Sequence, residues 1–298
     1  MENNLFALHQ ELVDKIYQPA PYQAFFVYDP KKRHIHKAIV QDRILHQAIF
    51  RILYPIFDKH FIFDSYSSRS NKGTHKGVKR LFFALRKASK NWKQPVFVLK
   101  CDIRKFFDSI DHEILFGLIK KKILDLETLE LVEKILKSFE KTPNVGIPLG
   151  NVTSQLFSNI YLNELDQFAK HKLKAKFYFR YADDFLIINK DQKLLLQNVF
   201  EIQNFLKNNL KLNLHPNKVS IRKLKNGIDF VGYVVLSNSV VLRTNTKKRI
   251  LKKIKKTIKL FKEGKIEKEK LRAVIVSYFG VLKHCRSKKV KQQIKKML

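Results

Sequence analysis

The chain has 298 residues, 45% of them hydrophobic, so it can bury a sizeable core in one large domain or in two or three subdomains. Its 60 Lys and Arg residues against 26 Asp and Glu residues give a formal net charge of +34. That excess points to a polyanionic partner, nucleic acid first and an anionic membrane surface second. The low counts of Gly and Pro, 9 and 8, argue against a disordered basic tail protein.

Cysteine usage and the N-terminal segment bear on the cellular compartment. The two cysteines, Cys101 and Cys285, form no disulfide framework and no zinc-binding pattern. Residues 1–17 are amphipathic and partly acidic, unlike a signal peptide, and no uninterrupted apolar segment reaches membrane-spanning length. We therefore expect a soluble, cytoplasmic protein that binds nucleic acid and has no membrane partner.

The N-terminal part, up to about residue 60, is predicted to be helical apart from a basic insert at residues 31–37. Apolar residues at helical spacing predict a helix over residues 39–57. Three histidines, His34, His36 and His46, raise the question of a metal site. No Cys or carboxylate accompanies them at ligand spacing, so we interpret them as polar surface residues or phosphate contacts.

A polar, basic loop over residues 64–77 is predicted to be flexible and to lead into a helix at residues 78–89. Backbone amides near its glycines, together with Arg69, Lys72 and Lys76, could cradle phosphates. The spacing of a Walker loop is absent. A solvated loop without a ligand is an equal alternative for this segment alone.

The apolar run at residues 95–101 predicts a buried strand that ends in Asp102. A carboxylate at the C-terminal end of a strand points into the crevice where many open sheets bind ligands. A helix is predicted to begin near Asp111, a good N-cap residue, so Asp108 and Asp111 are interpreted as local cap and turn residues. Residues 121–142 predict a further helix that serves packing.

The Gly/Pro-rich segment at residues 146–155 predicts a loop that opens another helix. Within it, Gly150 would let the backbone approach a ligand closely. The Ser, Asn and Gln side chains of this segment offer neutral hydrogen bonds, which suit bases and sugars better than phosphates.

Two adjacent carboxylates, Asp183 and Asp184, lie between apolar, β-prone runs, which predicts a hairpin with the pair at its turn. Neighbouring like charges are costly unless a cation shares them, although Asp is also a favoured turn residue. Residues 96–222 read as strand, helix, strand, strand, helix, strand, the ferredoxin-like βαββαβ plan. Its first and third strands are neighbours, so Asp102 should meet this turn at one sheet edge.

The C-terminal part combines a short predicted hairpin over residues 226–243 with basic helices. From Arg243 onward, 21 Lys and Arg residues stand against 3 acidic residues, a net charge of +18. Apolar residues at helical spacing indicate that this part is folded. We interpret its basic face as a contact with a nucleic-acid backbone.

Three carboxylates at one crevice of a basic protein fit two-metal phosphoryl transfer. Two Mg²⁺ ions about 4 Å apart, with Mn²⁺ as a substitute, would stabilise the attacking 3′-oxygen and the leaving pyrophosphate. We expect Asp102 and Asp183 to bridge the ions and Asp184 to bind more peripherally.

The chain resembles bacterial and phage-encoded reverse transcriptases over nearly its whole length. The Tyr-Ala-Asp-Asp run at residues 181–184 matches the metal-binding turn of that family, and Asp102 with Phe107 matches its first palm motif. The resemblance implies an RNA-directed DNA polymerase that extends a primer along a template RNA, using dNTPs to make cDNA. It also implies that the Ile103 carbonyl is a metal ligand and that Phe107 excludes ribonucleotides.

Further motifs extend this resemblance. Lys218 stands where the family places a lysine near the pyrophosphate, a candidate general acid. Arg69 and Lys72, with Lys76, resemble the fingertip residues that bind the incoming triphosphate. The segment at residues 146–155 resembles the motif beside the templating base, so we expect dNTP contacts from Leu149, Gly150 and Gln155. The primer grip is expected to consist of Phe230, Val231, Gly232 and Tyr233.

By the same resemblance, the fold is α+β, a right-hand polymerase with a ferredoxin-like palm. Mainly helical fingers would comprise residues 1–95 with part of 112–150, and the palm with its primer-grip hairpin residues 96–242. A basic helical thumb would comprise residues 243–298. We expect no maturase, endonuclease or RNase H extension after it.

Two departures from the common pattern refine the resemblance. Most of the family has Gln at the position of Leu149 and Pro at that of Gln155. The combination found here is similar to reverse transcriptases of diversity-generating retroelements, which implies error-prone copying at adenines and a small basic accessory protein oligomer as partner. Retron, group II intron-derived and phage-defence reverse transcriptases are alternatives. So are an RNA-templated RNA polymerase, which Phe107 disfavours, and a non-catalytic RNA-binding scaffold, which the intact aspartates disfavour.

Overall fold

The computed structural model of the chain describes residues 2–29 and 31–298. The helices span Glu2–Val13 (α1), Val40–Asp58 (α2), Thr74–Ala88 (α3), His112–Lys120 (α4), Leu126–Lys137 (α5), Val152–Gln167 (α6), Gln192–Leu210 (α7), Thr244–Lys262 (α8), Lys268–Leu282 (α9) and Lys288–Lys295 (α10). The strands span Gln23–Val27 (β1), Arg33–Lys37 (β2), Phe97–Asp102 (β3), Phe177–Tyr181 (β4), Asp184–Asn189 (β5), Ser220–Lys223 (β6), Ile228–Phe230 (β7), Tyr233–Leu236 (β8) and Ser239–Leu242 (β9).

The central sheet has the strand order β4-β5-β3-β6, and each neighbouring pair is antiparallel. Numbered within the βαββαβ plan, this is second, third, first, fourth strand, so the predicted adjacency of the first and third strands is confirmed. The α7 helix, which links β5 to β6, packs against β3, β5 and β6. The predicted ferredoxin-like arrangement is therefore confirmed.

Both faces of the central sheet are buried, which explains why its strands are apolar runs rather than alternating ones. Leu99 of β3 and Ile187 of β5 face a large core shared with the helices α2, α4, α5, α6 and α7. Val98 and Leu186 face the opposite way, into a core shared with α3 and β8. Cys101 is fully buried in the first core, as expected of a small core residue.

The prediction of a helical N-terminal part is wrong at residues 23–37, where β1 and β2 form an antiparallel ribbon. The basic insert supplies strand β2, and β1 is exposed along its whole length. Lys, Arg and His at neighbouring positions hid the period-2 pattern of a strand. The predicted helix over residues 39–57 is confirmed as α2.

The α3 helix begins at Thr74, earlier than predicted from the sequence. Gly73 precedes it with φ of 97°, a conformation in which glycine is at ease. Gly77 lies inside the helix, where a larger residue would crowd its neighbour: a Cβ there would come within 3.1 Å of the Tyr66 ring. Close packing against Tyr66, rather than a loop role, accounts for this glycine.

The C-terminal part contains a three-stranded meander, β7-β8-β9, where the sequence predicted a simple hairpin. The basic helices α8, α9 and α10 follow, with a small core of their own that includes Ile250, Ile254, Leu282 and Ile294. The fingers, palm and thumb boundaries stay a prediction. Among the described residues, no helix is long and apolar enough to cross a membrane.

Candidate active site

The sheet pairing brings the predicted carboxylates to one edge. Asp102 ends β3, Asp184 begins β5, and the two are direct partners in the antiparallel pairing. The backbone N–H of Ile103 donates to the carbonyl oxygen of Asp183 at 3.2 Å. Ala182, with φ of 52°, forms the turn of the predicted hairpin. Backbone hydrogen bonds therefore fix all three aspartates at one place.

Two lysines pair with these carboxylates. The Nζ of Lys218 donates to Oδ1 of Asp102 at 2.7 Å, and the Nζ of Lys100 lies 3.2 Å from Oδ2 of Asp184. Across residues 2–29 and 31–298, no group of three His, Cys, Asp or Glu side chains converges closely enough to hold a metal ion. The carboxylates thus share an edge without forming a closed ligand cluster, and ammonium groups supply the positive charge beside them.

Burial raises the pKa of both aspartates at the turn. It raises the pKa of the Asp184 carboxyl to about 6, although nearby Lys100 favours the charged form. The pKa of Asp183 is also raised, by burial first and then by the charge of Asp102. Oδ1 of Asp184 is buried without a hydrogen-bond partner. A buried carboxylate oxygen that lacks a donor can accept a divalent cation, and Mg²⁺ needs only one or two protein carboxylates when substrate oxygens complete its shell.

A cleft of ≈ 440 Å³ opens over Asp102 and Asp184. Its walls carry charged residues that the sequence analysis did not select: Lys31, Lys100, Arg222, Asp229 and Arg243. The Nε of Arg243 lies 2.6 Å from Oδ2 of Asp229, and Lys100 Nζ lies 3.3 Å from Oδ1 of the same carboxylate. Lys100 could have been found from its spacing, because it precedes Asp102 by two residues on a strand and so shares its face.

The aromatic residue of the first palm motif lies beside the Gly/Pro-rich segment. Phe107 is half-buried, and its carbonyl oxygen accepts a hydrogen bond from the backbone N–H of Ile147 at 2.9 Å. Leu149 is half-buried, whereas Gln155 is exposed in the first turn of α6. The backbone link holds the two predicted dNTP-contacting segments in a fixed relation.

The close approach expected of Gly150 is to β2, not to a ligand. A Cβ on Gly150 would lie 3.0 Å from Cγ2 of Ile35 and 3.2 Å from the carbonyl oxygen of His36. The backbone N–H of His36 also donates to the carbonyl oxygen of Leu149 at 3.0 Å. The segment at residues 146–155 therefore anchors the β1–β2 ribbon.

The side chains of Arg69 and Lys72 have partners within the protein, and their predicted triphosphate contacts stay a prediction. The Arg69 side chain is 6% exposed, and its Nε donates to Oδ1 of Asp58 at 2.6 Å. Its remaining nitrogens donate to backbone carbonyls of Asp58, Ile62 and Ser65. Lys72 donates to the carbonyl oxygen of Phe63 and lies over the Phe63 ring at 3.5 Å. These contacts tie the side chains to the loop itself, and neither residue lines the cleft above the aspartates.

Two of the predicted primer-grip residues belong to the core. Phe230 and Tyr233 are 0% and 3% exposed, so only the turn between them, Val231 and Gly232, is available at the surface. That turn borders a groove of ≈ 700 Å³ between the β1–β2 ribbon and α8. Four basic residues of the groove lie on α8: Arg249, Lys252, Lys253 and Lys256.

A sequence-family model described as reverse transcriptase (RNA-dependent DNA polymerase) matches residues 29–235, a span that contains the three aspartates and, except for Arg243, the residues that line the cleft. The chain belongs to the reverse transcriptase family. The right-hand polymerase fold that the sequence resemblance predicted is confirmed.

Named relatives of this reverse transcriptase include a group II intron protein. Protein YkfC of Escherichia coli is 26% identical over 268 residues, covering 76% of this chain and 69% of that protein. The group II intron-encoded protein LtrA of Lactococcus lactis is 27% identical over 332 residues, covering 86% of this chain and 53% of LtrA. The chain thus spans about half the length of LtrA.

Solved structures of telomerase share the fold. Apo telomerase from Candida tropicalis superposes with a TM-score of 0.58 at 13% identity, covering 78% of this chain and 50% of the telomerase. The same telomerase with a fragment of telomeric RNA gives 0.57 at 13% identity, covering 85% and 52%. At this identity the likeness concerns the fold alone.

Proposed function

We propose that the cleft above Asp102 and Asp184 extends a DNA primer along an RNA template by two-metal nucleotidyl transfer. One observation carries the proposal: Asp184 has a buried carboxylate oxygen without a donor, directly opposite Asp102 in the strand pairing. Such an oxygen is costly in the protein alone and is stabilised when a cation is present.

The proposed metal site consists of Asp102, Asp183 and the carbonyl of Ile103, with Asp184 more peripheral. Two Mg²⁺ ions, or Mn²⁺ in their place, would neutralise charge on the attacking 3′-oxygen and on the leaving pyrophosphate. Lys218, which pairs with Asp102 here, would release that carboxylate to the metal site and reach the leaving group. Its Nζ then gives a proton to the pyrophosphate oxygen as the bond to the α-phosphorus breaks.

The incoming dNTP is proposed to lie between Phe107 and the β1–β2 ribbon. Phe107 would exclude a ribose 2′-hydroxyl by steric contact. The triphosphate is assigned to Lys31, which lines the cleft, and to Arg33, whose charge acts on Asp183. These residues replace Arg69 and Lys72 in the sequence-based assignment. Arg33 lies on β2, which Leu149 and Gly150 anchor.

The nucleic-acid duplex is proposed to follow the groove between the ribbon and α8. The basic residues of α8 would contact the phosphate backbone, and the turn at Val231 and Gly232 would contact the primer end. Backbone contact by a turn needs no exposed side chain, which agrees with the burial of Phe230 and Tyr233.

The finer proposal is a mutagenic role in a diversity-generating retroelement, with a small basic accessory protein oligomer. Leu149 and Gln155 support it through their resemblance to that subgroup. Leu149 offers no side-chain amide near the nascent base pair, so template bases are held less firmly. A group II intron-derived enzyme is the second candidate, because LtrA is among the relatives.

Primer extension tests the proposed activity. The chain is given an RNA template, a DNA primer, Mg²⁺ and either dNTPs or rNTPs, with Asp183→Asn as the matched inactive variant. We expect extension with dNTPs only, and none by Asp183→Asn. Activity that survives this substitution, or equal use of rNTPs, contradicts the proposal.

A further inference from the structure

A second cleft, of ≈ 670 Å³, lies apart from the aspartates. Its walls come from the first turns of α3, the β8–β9 turn, and the segment between α9 and α10. None of the residues that line it lines the cleft over Asp102 and Asp184. Its volume falls within the range of about 300–1,000 Å³ that is typical of ligand sites.

The charge of this second cleft is entirely positive. Its lining residues include four cations and no carboxylate: Lys76, Lys79, Lys283 and Arg286. All four are exposed and, among the described residues, take part in no ion pair. Lys76, which the sequence analysis placed among triphosphate contacts, belongs to this cleft. Such a surface attracts a polyanion.

Aromatic rings accompany the cations. The rings of His75 and His284 are stacked, with centroids 3.7 Å apart and planes 16° apart. Phe83 is 48% exposed at the cleft, and Phe82 lies next to it. Burial, and then the neighbouring His284, lower the pKa of His75, which favours the neutral ring. Exposed ring faces beside lysines form the combination that binds unpaired bases and their phosphates.

We propose that this second cleft binds a single-stranded segment of the template RNA outside the catalytic cleft. Bases would stack on Phe83 and on the histidine pair, while Lys79, Lys283 and Arg286 contact phosphates. A duplex could not present its base faces to these rings, so the segment must be unpaired. The proposal rests on the proposed function, because it assumes that the chain handles a template RNA.

The position of the second cleft suits a template contact. The ring of His75 meets Tyr233 edge-on at 5.9 Å, and Tyr233 ends the turn that is proposed to contact the primer. An RNA held here would contact Tyr233, the residue that ends that turn. An acidic protein segment would match the charge but has no use for the exposed ring faces, so RNA is the favoured occupant.

Binding is tested with a fluorescein-labelled, single-stranded polyuridylate that carries 4-thiouridine. The full chain is first loaded with an unlabelled RNA–DNA hairpin, so that the catalytic cleft is filled. The test variant combines Lys79→Ala, Lys283→Ala and Phe83→Ala. Its matched control removes the same residue types from α7, where Lys193, Lys207 and Phe200 are exposed. Binding is measured without nucleotides, so the result does not depend on catalysis.

The test variant is expected to weaken polyuridylate binding about tenfold or more, since it removes a stacking ring and two phosphate contacts. The slope of log K against log salt should become less steep by about 1.4, because each of the two lost phosphate contacts contributes about 0.7. Irradiation should crosslink the probe to Phe83 or His284. The α7 control should bind within about twofold of the unchanged chain, a difference too small to reflect a lost contact.

Two outcomes overturn the proposal: equal binding by the test and α7 variants, or crosslinks confined to the ribbon and α8. Capture of an acidic peptide here with no effect of Phe83→Ala also overturns it. Primer extension on the short hairpin should be unchanged in the test variant. Inactivity of the unchanged chain on that hairpin would defeat the proposed function, while the binding result would still stand or fall separately.

Discussion

Asp102 and Asp184 are direct partners in the antiparallel pairing of β3 with β5. Their carboxylates are therefore positioned by the register of the sheet, which both buried faces fix, because a shift of one residue would exchange the two faces. Asp183 belongs to the same hairpin, and its carbonyl oxygen is held by a hydrogen bond from the backbone N–H of Ile103. The backbone thus positions the carboxylates, whereas Lys100 and Lys218 reach them through long, flexible stems.

Replacing Lys100 should destabilise the protein most when divalent cations are absent. Lys100→Met removes the ammonium beside Asp184, where both side chains are 23% exposed, so a loss of about 1–2 kcal/mol of unfolding free energy is expected in Mg²⁺-free buffer. Mg²⁺ should recover part of the loss by binding the same carboxylate. Urea unfolding with and without Mg²⁺ measures both values. An equal loss in the two buffers would show that no cation takes the place of the lysine.

Phe107 should control the choice of sugar. Phe107→Ala is expected to raise the use of rNTPs relative to dNTPs by about 10–100-fold, the range that steric rejection of one hydroxyl provides. Phe107→Tyr keeps the bulk and should leave the preference unchanged. Steady-state incorporation of single nucleotides gives kcat/KM for each sugar. A strong preference for dNTPs in the alanine variant would show that another residue excludes the ribose 2′-hydroxyl.

Substitutions of Lys31 and Arg69 should have different effects, the first on dNTP binding and the second on protein stability. Lys31→Ala is expected to raise the KM for dNTPs about tenfold, because one charge-assisted contact is lost. The Tm should be unchanged. Arg69→Ala removes a half-buried ion pair with Asp58 and three hydrogen bonds to backbone carbonyls, so it should cost about 2 kcal/mol of stability. The KM of the folded Arg69→Ala protein should stay near that of the parent. The reverse pattern would restore the sequence-based assignment.

Gly150 should tolerate no side chain. Gly150 has φ of 138°, and an added Cβ would meet Ile35 and His36, so Gly150→Ala is expected to cost about 1–3 kcal/mol. Gly117 lies in α4 with open space around it, and Gly117→Ala should stabilise by up to about 1 kcal/mol. Thermal unfolding compares the two. A small effect at Gly150 would mean that the β1–β2 ribbon moves freely away from this loop.

How far the sequence predicts this molecule depends on the range of the interactions. Asp102, Asp183 and Asp184 could be placed together because apolar runs and their order define the sheet topology. The ribbon at residues 23–37 could not be predicted. Its strands are mostly exposed, so they lack the apolar pattern that marks a buried strand. The position of Lys31 at the cleft and the packing of Gly150 depend on that ribbon and were missed with it. The network of Lys100 with Asp229 joins residues that are distant in sequence, which no local pattern reports.

Leu149 should influence the accuracy of copying. Leu149→Gln adds an amide on a half-buried side chain whose backbone is tied to His36 of the ribbon, so the new group is held in place. A positioned amide can hydrogen-bond near the nascent base pair, and a more firmly held template base admits fewer mismatches. We expect misincorporation opposite adenine to fall about tenfold, the effect of about 1.4 kcal/mol of discrimination.

Sequenced cDNA from an adenine-containing template, made with and without a candidate accessory protein, measures the error spectrum of the parent and of Leu149→Gln. Leu149→Met is the matched control, because it keeps the size and apolar character without adding an amide. Its spectrum should equal that of the parent. If the glutamine variant also shows the parental spectrum, the open template-base position is not what makes copying inaccurate. The retroelement assignment would then lose the physical reason that Leu149 supplies.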